Sequence, residues 1–175
     1  LLEKFRNDPD STIRQCAEEA ILKIESRTSQ DANALNIRLE LAFQSAKEAG
    51  RILLKRFRKY NPILHLEEHD IVSQADLEAQ EAIVGLIQSK FPQDSISAEE
   101  KQDLFHDKTK ESNYNWVVDP IDGTVNYMAG LERFCVAIAI EKSQETVASI
   151  IYKPINEEIY WACKERGAFL GDSPI

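Results

Sequence analysis

Two carboxylates, Asp119 and Asp122, stand on either side of Pro120-Ile121 and are followed at once by Gly123 and Thr124. Carboxylate oxygens are the ligands that hard divalent cations such as magnesium take, and acids at the two ends of a sharp turn can converge on paired ions. Gly123 allows a tight backbone turn, and the Thr124 hydroxyl is of a type that caps a new helix. Amide hydrogens at such a helix start lack an intrahelical partner and suit an anionic oxygen. Acids for a cation beside amides for an anion make a phosphate and metal site. Asp-Pro-Ile-Asp-Gly is also an ordinary surface turn, and the local residues do not choose between the two.

Further acids lie upstream. Asp76, three residues after Ser73, is placed as the capping acid of a helix. Glu99-Glu100 are adjacent like charges that repel unless water, a base or a metal takes up the charge, and a solvated loop is the plain alternative. His65, His69 and His106 lack a metal-ligand spacing such as H-E-x-x-H and read as non-ligands. Cys16, Cys135 and Cys163 are odd in number, far apart and without C-x-x-C spacing. They read as reduced, partly buried thiols of a cytoplasmic protein.

The elements that must position these residues follow from pattern. Trp116-Val117-Val118 reads as a strand that stops at Asp119-Pro120, because proline has no amide hydrogen to continue a ladder. Ser95-Ile96-Ser97 reads as a brief strand delivering Glu99-Glu100. Ser73 to Lys90 reads as a helix with Ala79, Ile83, Leu86 and Ile87 on one face, ended by Phe91-Pro92. Pro62 to Val72 suits a short hairpin or an extended segment. From Ala32 a longer helix carries the stripe Leu35, Leu39, Ala42, Ala46, Ala49, Leu53 and Phe57. Lys55, Arg56, Arg58 and Lys59 oppose the negative end of its dipole and read as structural, with phosphate recruitment the alternative, and Asn61-Pro62 stops it. Lys101 to Asn115 reads as a mobile loop over the site.

Phe134 to Glu141, Thr146 to Tyr152 and Glu158 to Ala162 are short β-rich runs spaced as an antiparallel meander. Phe134 to Ile140 has almost no polar residue, so it is expected to be a central strand covered on both faces, with helices covering one side. Before all of this, residues 1–30 hold one amphipathic helix with Ile13, Ala17, Ala20 and Ile24 on a face, and Ser26 to Asp31 reads as a linker. The division is a helical extension, 1–30, and a domain, 31–175.

At 175 residues with 43% apolar content, the chain can bury the core of one medium domain. A net charge of -9 argues against general nucleic-acid or anionic-membrane binding, although a phosphate substrate still needs a local positive site. No apolar run approaches the roughly 20 residues that span a bilayer, and no signal-peptide pattern opens the chain. Because it begins with Leu1, it is expected to be a fragment.

Asp119 to Tyr127, DPIDGTVNY, resembles the signature of the inositol monophosphatase family, the magnesium-dependent, lithium-sensitive phosphatases of polyol and sugar phosphates. HDIVSQAD, His69 to Asp76, and FPQDSISAEE, Phe91 to Glu100, resemble further stretches of that family in the same order, and GAFLGDSPI, Gly167 to Ile175, is similar to its G-A-F-x-N-G stretch. The resemblance implies an α+β fold, a layered α/β sandwich whose N-terminal half has an antiparallel sheet and two long helices. It implies that Glu99, Asp119 and the Ile121 carbonyl hold one Mg2+, and Asp119 with Asp122 a second. Asp76 and Thr124 would orient the attacking water, and the amides of Gly123 and Thr124 would bind the phosphate. His65 stands nearest to a lysine usual in the family, and Ala129 and Glu132 replace its common histidine and proline. Residues 1–30 weakly resemble the end of a HEAT-type repeat, with a docked extension helix the alternative.

The family also carries a further α/β portion with a W-D motif completing the second metal site. Trp116 precedes Val117, Trp161 precedes Ala162, and the chain reaches Ile175 without that motif. The expectation is a hydrolase whose full-length form is a phosphatase, possible as a homodimer, while this chain binds magnesium weakly and turns over slowly or not at all. The rival expectation is an inactive interaction or regulatory module.

Overall fold

The computed structural model describes the backbone of residues 11–66, 71–99 and 112–175, and side chains within these except at 11–28, 66 and 71. Helix α1 runs unbroken over Ser11–Arg56. Ser26 to Asp31 is therefore helical and not the linker its polar composition suggested; it contains neither glycine nor proline to break the helix. The described residues divide into two compact units between Arg38 and Leu39. In the second unit, Leu39, Ala42, Ala46, Ala49 and Leu53, spaced by threes and fours, are all buried, as their period requires. The helix ends at Arg56, six residues before Pro62, where Arg58 turns left-handed at φ 57 and Lys59 N–H reaches back to Arg56 O at 3.0 Å. Asn61-Pro62 does not stop it; the pair has another task, described below.

Strands β1, Ile63–Leu66, and β2, Ile71–Ser73, pair antiparallel, the hairpin of the two forms open to this stretch, and lead into α2, Gln74–Lys90. Seven strands then build one sheet in sequence order: β3 Ser95–Ala98, β4 Tyr114–Asp122, β5 Cys135–Lys142, β6 Glu145–Lys153, β7 Glu158–Cys163, β8 Gly167–Leu170 and β9 Ser173–Pro174. Helix α3, Thr124–Met128, sits between β4 and β5. The meander over β5, β6 and β7 matches its spacing in sequence, and the sheet is antiparallel except for the parallel pair β3 and β4. The loop expected over the site falls mostly outside the described residues, but Tyr114 and Asn115 already belong to β4.

Alternation decides where the core lies. Trp116 and Val118 on β4, Val136, Ile138 and Ile140 on β5, and Ala148, Ile150 and Tyr152 on β6 all point to one face and are buried. Helix α1 covers that face: Phe43 meets Trp161 edge-on at 5.7 Å, and Gly50 lies so close to the Tyr152 ring that a Cβ there would collide with it. At the end of α2, Phe91 lies against Trp116 at 6.2 Å. The indole N–H of Trp116 donates to Asp94, itself buried, at 2.9 Å. β5 is central but buried on one face only; its other face is half-exposed, which corrects the expectation of cover on both sides.

Candidate active site

Asp119 and Asp122 are brought to one face by a bulge. Asp119 pairs with Ala137 and Asp122 with Cys135, so β4 takes three steps where β5 takes two. In a regular strand residues three apart point to opposite faces; the extra residue restores Asp122 to the side of Asp119. Pro120 and Ile121 are consecutively buried at the parity change. The strand therefore does not stop at Asp119-Pro120 but continues to Asp122, since a bulge is where a residue without an amide hydrogen can sit.

The parallel pairing of β3 and β4 supplies the third acid. Ala98 lies beside Val118, and Glu99 N–H continues the ladder to Val118 O at 3.0 Å, which sets Glu99 next to Asp119. Glu100 lies outside the described residues. Asp119 is half-buried, and desolvation, then contact with the Glu99 carboxylate, then the charge of Asp122 push its pKa up to about 8. Its Oδ1 is buried without a hydrogen-bond partner. Among the described residues no three Asp, Glu, His or Cys side chains form a closed metal cage, so the acids stand as a close pair with Asp122 beside it. A desolvated carboxylate pair with an orphaned oxygen fits a cation, and its donors are the hard oxygens that magnesium takes.

Gly123, not Thr124, caps α3. Its φ is 94°, and a Cβ at this position would come within 2.8 Å of Arg133 O. Thr124 is instead the first helical residue, and its Oγ1 lies 2.9 Å from Ile121 O and 3.2 Å from Asp76 Oδ1. Asp76 thus caps α2 and also lies beside Thr124. Its Oδ2 accepts from Ser73 N–H at 2.8 Å, closing the start of α2, while Oδ1 faces Thr124. Burial raises the pKa of Asp76 against the lowering effect of the Ser73 and Thr124 hydrogen bonds. Helix α3 is anchored by Tyr127, whose hydroxyl donates to Leu53 O at 2.9 Å and whose ring lies 4.9 Å from Phe134 and 5.5 Å from Phe57.

Two neighbours of the site gave no signal in sequence. Cys135 directs its thiol toward Asp122 Oδ2 at 3.5 Å, and burial with the Asp122 charge pushes it up to about 12. Asn61 contacts Ser73 and Met128 across 12 and 67 residues of chain. Glu132, where the family often has proline, forms an exposed ion pair with Arg58 at 3.1 Å. His65 is exposed on β1, and His69 and His106 lie outside the described residues. Cys135 and Cys163 are free thiols. Among the described residues no helix is long and apolar enough to cross a membrane.

A helix-covered mixed sheet brings Glu99 beside Asp119, with Asp122 on the same face and the Asp76–Thr124 pair at the following helix start, an array of hard oxygen donors. Residues 35–175 match the inositol monophosphatase family, and the chain belongs to it. Nus factor SuhB of Pasteurella multocida (strain Pm70) is 32% identical over 140 residues, 79% of this chain and 51% of that protein. The inositol monophosphatase of Dictyostelium discoideum is 34% identical over 151 residues, 80% of this chain and 53% of its own. Among solved structures, the extragenic suppressor protein suhB from Bartonella henselae superposes with TM-score 0.74 at 31% identity, covering 79% of this chain and 53% of that one. The Thermotoga maritima IMPase gives 0.71 at 29% identity, covering 79% and 52%. The chain spans about half the length of the curated relatives it matches.

Proposed function

We propose that this chain carries the metal-holding and water-orienting half of a magnesium-dependent phosphomonoesterase acting on a small polyol or sugar phosphate such as inositol monophosphate. The observation that carries the reading is Asp119, held half-buried against Glu99 with its pKa pushed up to about 8 and one oxygen orphaned. Carboxylates kept together in that state suit a divalent counter-charge. Glu99, Asp119 and the Ile121 carbonyl would hold one Mg2+; that carbonyl has a second lone pair beyond the one facing Thr124. Asp119 and Asp122 would hold another. When bound, the ions supply Lewis acidity and positive charge at the phosphoryl group.

The remaining work belongs to the chain itself. With its one hydrogen committed to Asp76 or Ile121, Thr124 Oγ1 presents lone pairs that accept from a water and turn it toward the phosphorus. The amides of Gly123 and Thr124 take the phosphate oxygens. Cys135, with its thiol pushed up to about 12, is tuned away from nucleophilic chemistry, in keeping with direct attack by water. Relatives named inositol monophosphatase support the substrate class. Lithium inhibition, pairing as a homodimer and a cytoplasmic setting with reduced thiols are part of the same reading. Residues 11–30, which precede the family match, lie within α1.

Phosphate release from inositol monophosphate, with and without magnesium and lithium, tests the proposal. Turnover by the full-length protein that D119N and T124A abolish is the expected result; a flat signal from that protein defeats it. A second reading, an interaction module, is favoured by the relatives named Nus factor and by apolar side chains on the outer sheet face, where Val117 is 39% and Ile151 45% exposed. It predicts that D119N leaves partner binding intact while V117D/I151D abolishes it.

A further inference from the structure

Asn61 occupies a junction that neither a turn nor a helix stop requires. Its Nδ2 donates one hydrogen to Ser73 Oγ at 2.8 Å and the other to Met128 Sδ at 3.2 Å, while its Oδ1 accepts from Ala75 N–H at 3.1 Å. Ser73 Oγ passes its own hydrogen to Asp76 Oδ2 at 2.5 Å. Asp76 Oδ1 in turn faces Thr124 Oγ1. One carboxamide therefore touches the start of α2, which carries Asp76, and the end of α3, whose first residue is Thr124. The neighbouring Pro62 adds to the hold, its carbonyl accepting from Gln74 N–H at 2.9 Å.

We propose that Asn61 is a positioning residue: through Ser73 it fixes the Asp76 carboxylate, and through Met128 it fixes α3, so that it sets the separation of Asp76 from Thr124. The inference rests on the phosphatase reading above, in which that pair orients the attacking water. The physical case has two parts. A hydroxyl that accepts a hydrogen bond is a better donor, so the Asn61 amide strengthens the Ser73 bond to Asp76. The three Asn61 contacts also join segments far apart in the chain, so none can shift without straining the other two. Ser73, Ala75 and Asp76 are buried, so no bulk water can replace the lost partners at low cost.

The test uses kinetics of the full-length protein in magnesium with inositol monophosphate. Asn61→Ala is expected to lower kcat by about ten- to a hundredfold while KM changes little, because misplacement of a reacting group by about 1 Å carries a penalty of that order. Asn61→Asp keeps the acceptor for Ala75 N–H but loses both donors. A residue that merely caps α2 is rescued by that change; a positioning residue is not, and kcat stays low. In the double variant N61A/S73A, the loss is expected to be smaller than the product of the two single losses, since Asn61 acts on Asp76 through Ser73 and only its Met128 contact acts separately. Thermal unfolding accompanies each variant to show that it folds. A kcat within about twofold of the parent for N61A, rescue by N61D, or multiplied losses in the double variant each overturn the proposal. If T124A and D119N also retain turnover, the phosphatase reading has failed; if those two lose it while N61A does not, only the role of Asn61 has.

Discussion

Asp119→Asn isolates the electrostatic feature on which the site depends. The Asp119 pKa stands at about 8 against an ordinary 3.8, so between those values the native state holds a proton that the unfolded chain has released. Stability must then fall as pH rises through that window and level off above about 8. Each unit is worth about 1.4 kcal/mol, so the interval from about pH 6 to about pH 8 has a ceiling near 2.7 kcal/mol. Asp119 is only half-buried, and solvent shares its field, which brings the usable figure down to about 1 kcal/mol. For a chain of this length that is a drop of roughly 2–4 °C in Tm.

The assay is thermal unfolding followed by circular dichroism, at several pH values with and without magnesium. The amide in D119N does not titrate, so the difference between parent and variant isolates this group, and the variant is expected to lose less stability toward alkaline pH. E99Q is expected to flatten the parent slope as well, by removing the neighbour that raises Asp119. Magnesium at ten times its Kd adds about 1.4 kcal/mol to the parent and much less to D119N. Equal pH slopes in parent and D119N, or equal stabilisation of both by magnesium, refute the reasoning that Asp119 is desolvated against Glu99 and relieved by a cation.

Other expectations are simpler to measure. Gly123→Ala forces a side chain into φ 94° with a Cβ 2.8 Å from Arg133 O, and a loss of at least about 1–2 kcal/mol should appear in denaturant unfolding. Asp94→Ala strands the buried indole N–H of Trp116 and is expected to cost about 1–3 kcal/mol by the same assay, with a change in tryptophan fluorescence. Cys135, its thiol pushed up to about 12, is expected to react with iodoacetamide at about pH 8 far more slowly than an unperturbed thiol, whose pKa is about 8.5. Arg58→Ala removes an exposed ion pair with Glu132, an exposed hydrogen bond to Gly130 O and a contact over the Phe57 ring, and should shift stability by no more than about 1–2 kcal/mol.

What the sequence made legible and what it concealed divide along the range of the interactions. The stripe Leu39 to Leu53 and the meander over β5, β6 and β7 follow from short periods, and those periods survive folding because each element buries one face. Asp76 could be read as a cap because its partner Ser73 is three residues away, whereas its contact with Thr124 crosses 48 residues and came only through family likeness. The chemistry of Asn61 was hidden by the same arithmetic: beside proline it looks like punctuation, yet its partners lie in segments 12 and 67 residues away.

Pro120 shows how a correct local rule led to a wrong boundary. Proline does deprive a ladder of one donor, and on that ground a strand is expected to stop. Here the bulge absorbs the missing donor, and the same extra residue reverses the alternation so that Asp122 joins Asp119 on one face. Had β4 continued regularly, Asp122 would point into the helix-covered core, where an unpaired carboxylate is not tolerated. Had it ended at Asp119, nothing would hold Asp122 in register with Cys135, or turn the chain at Gly123 to set Thr124 before Asp76. The irregularity that made the strand hard to read is therefore what assembles the site.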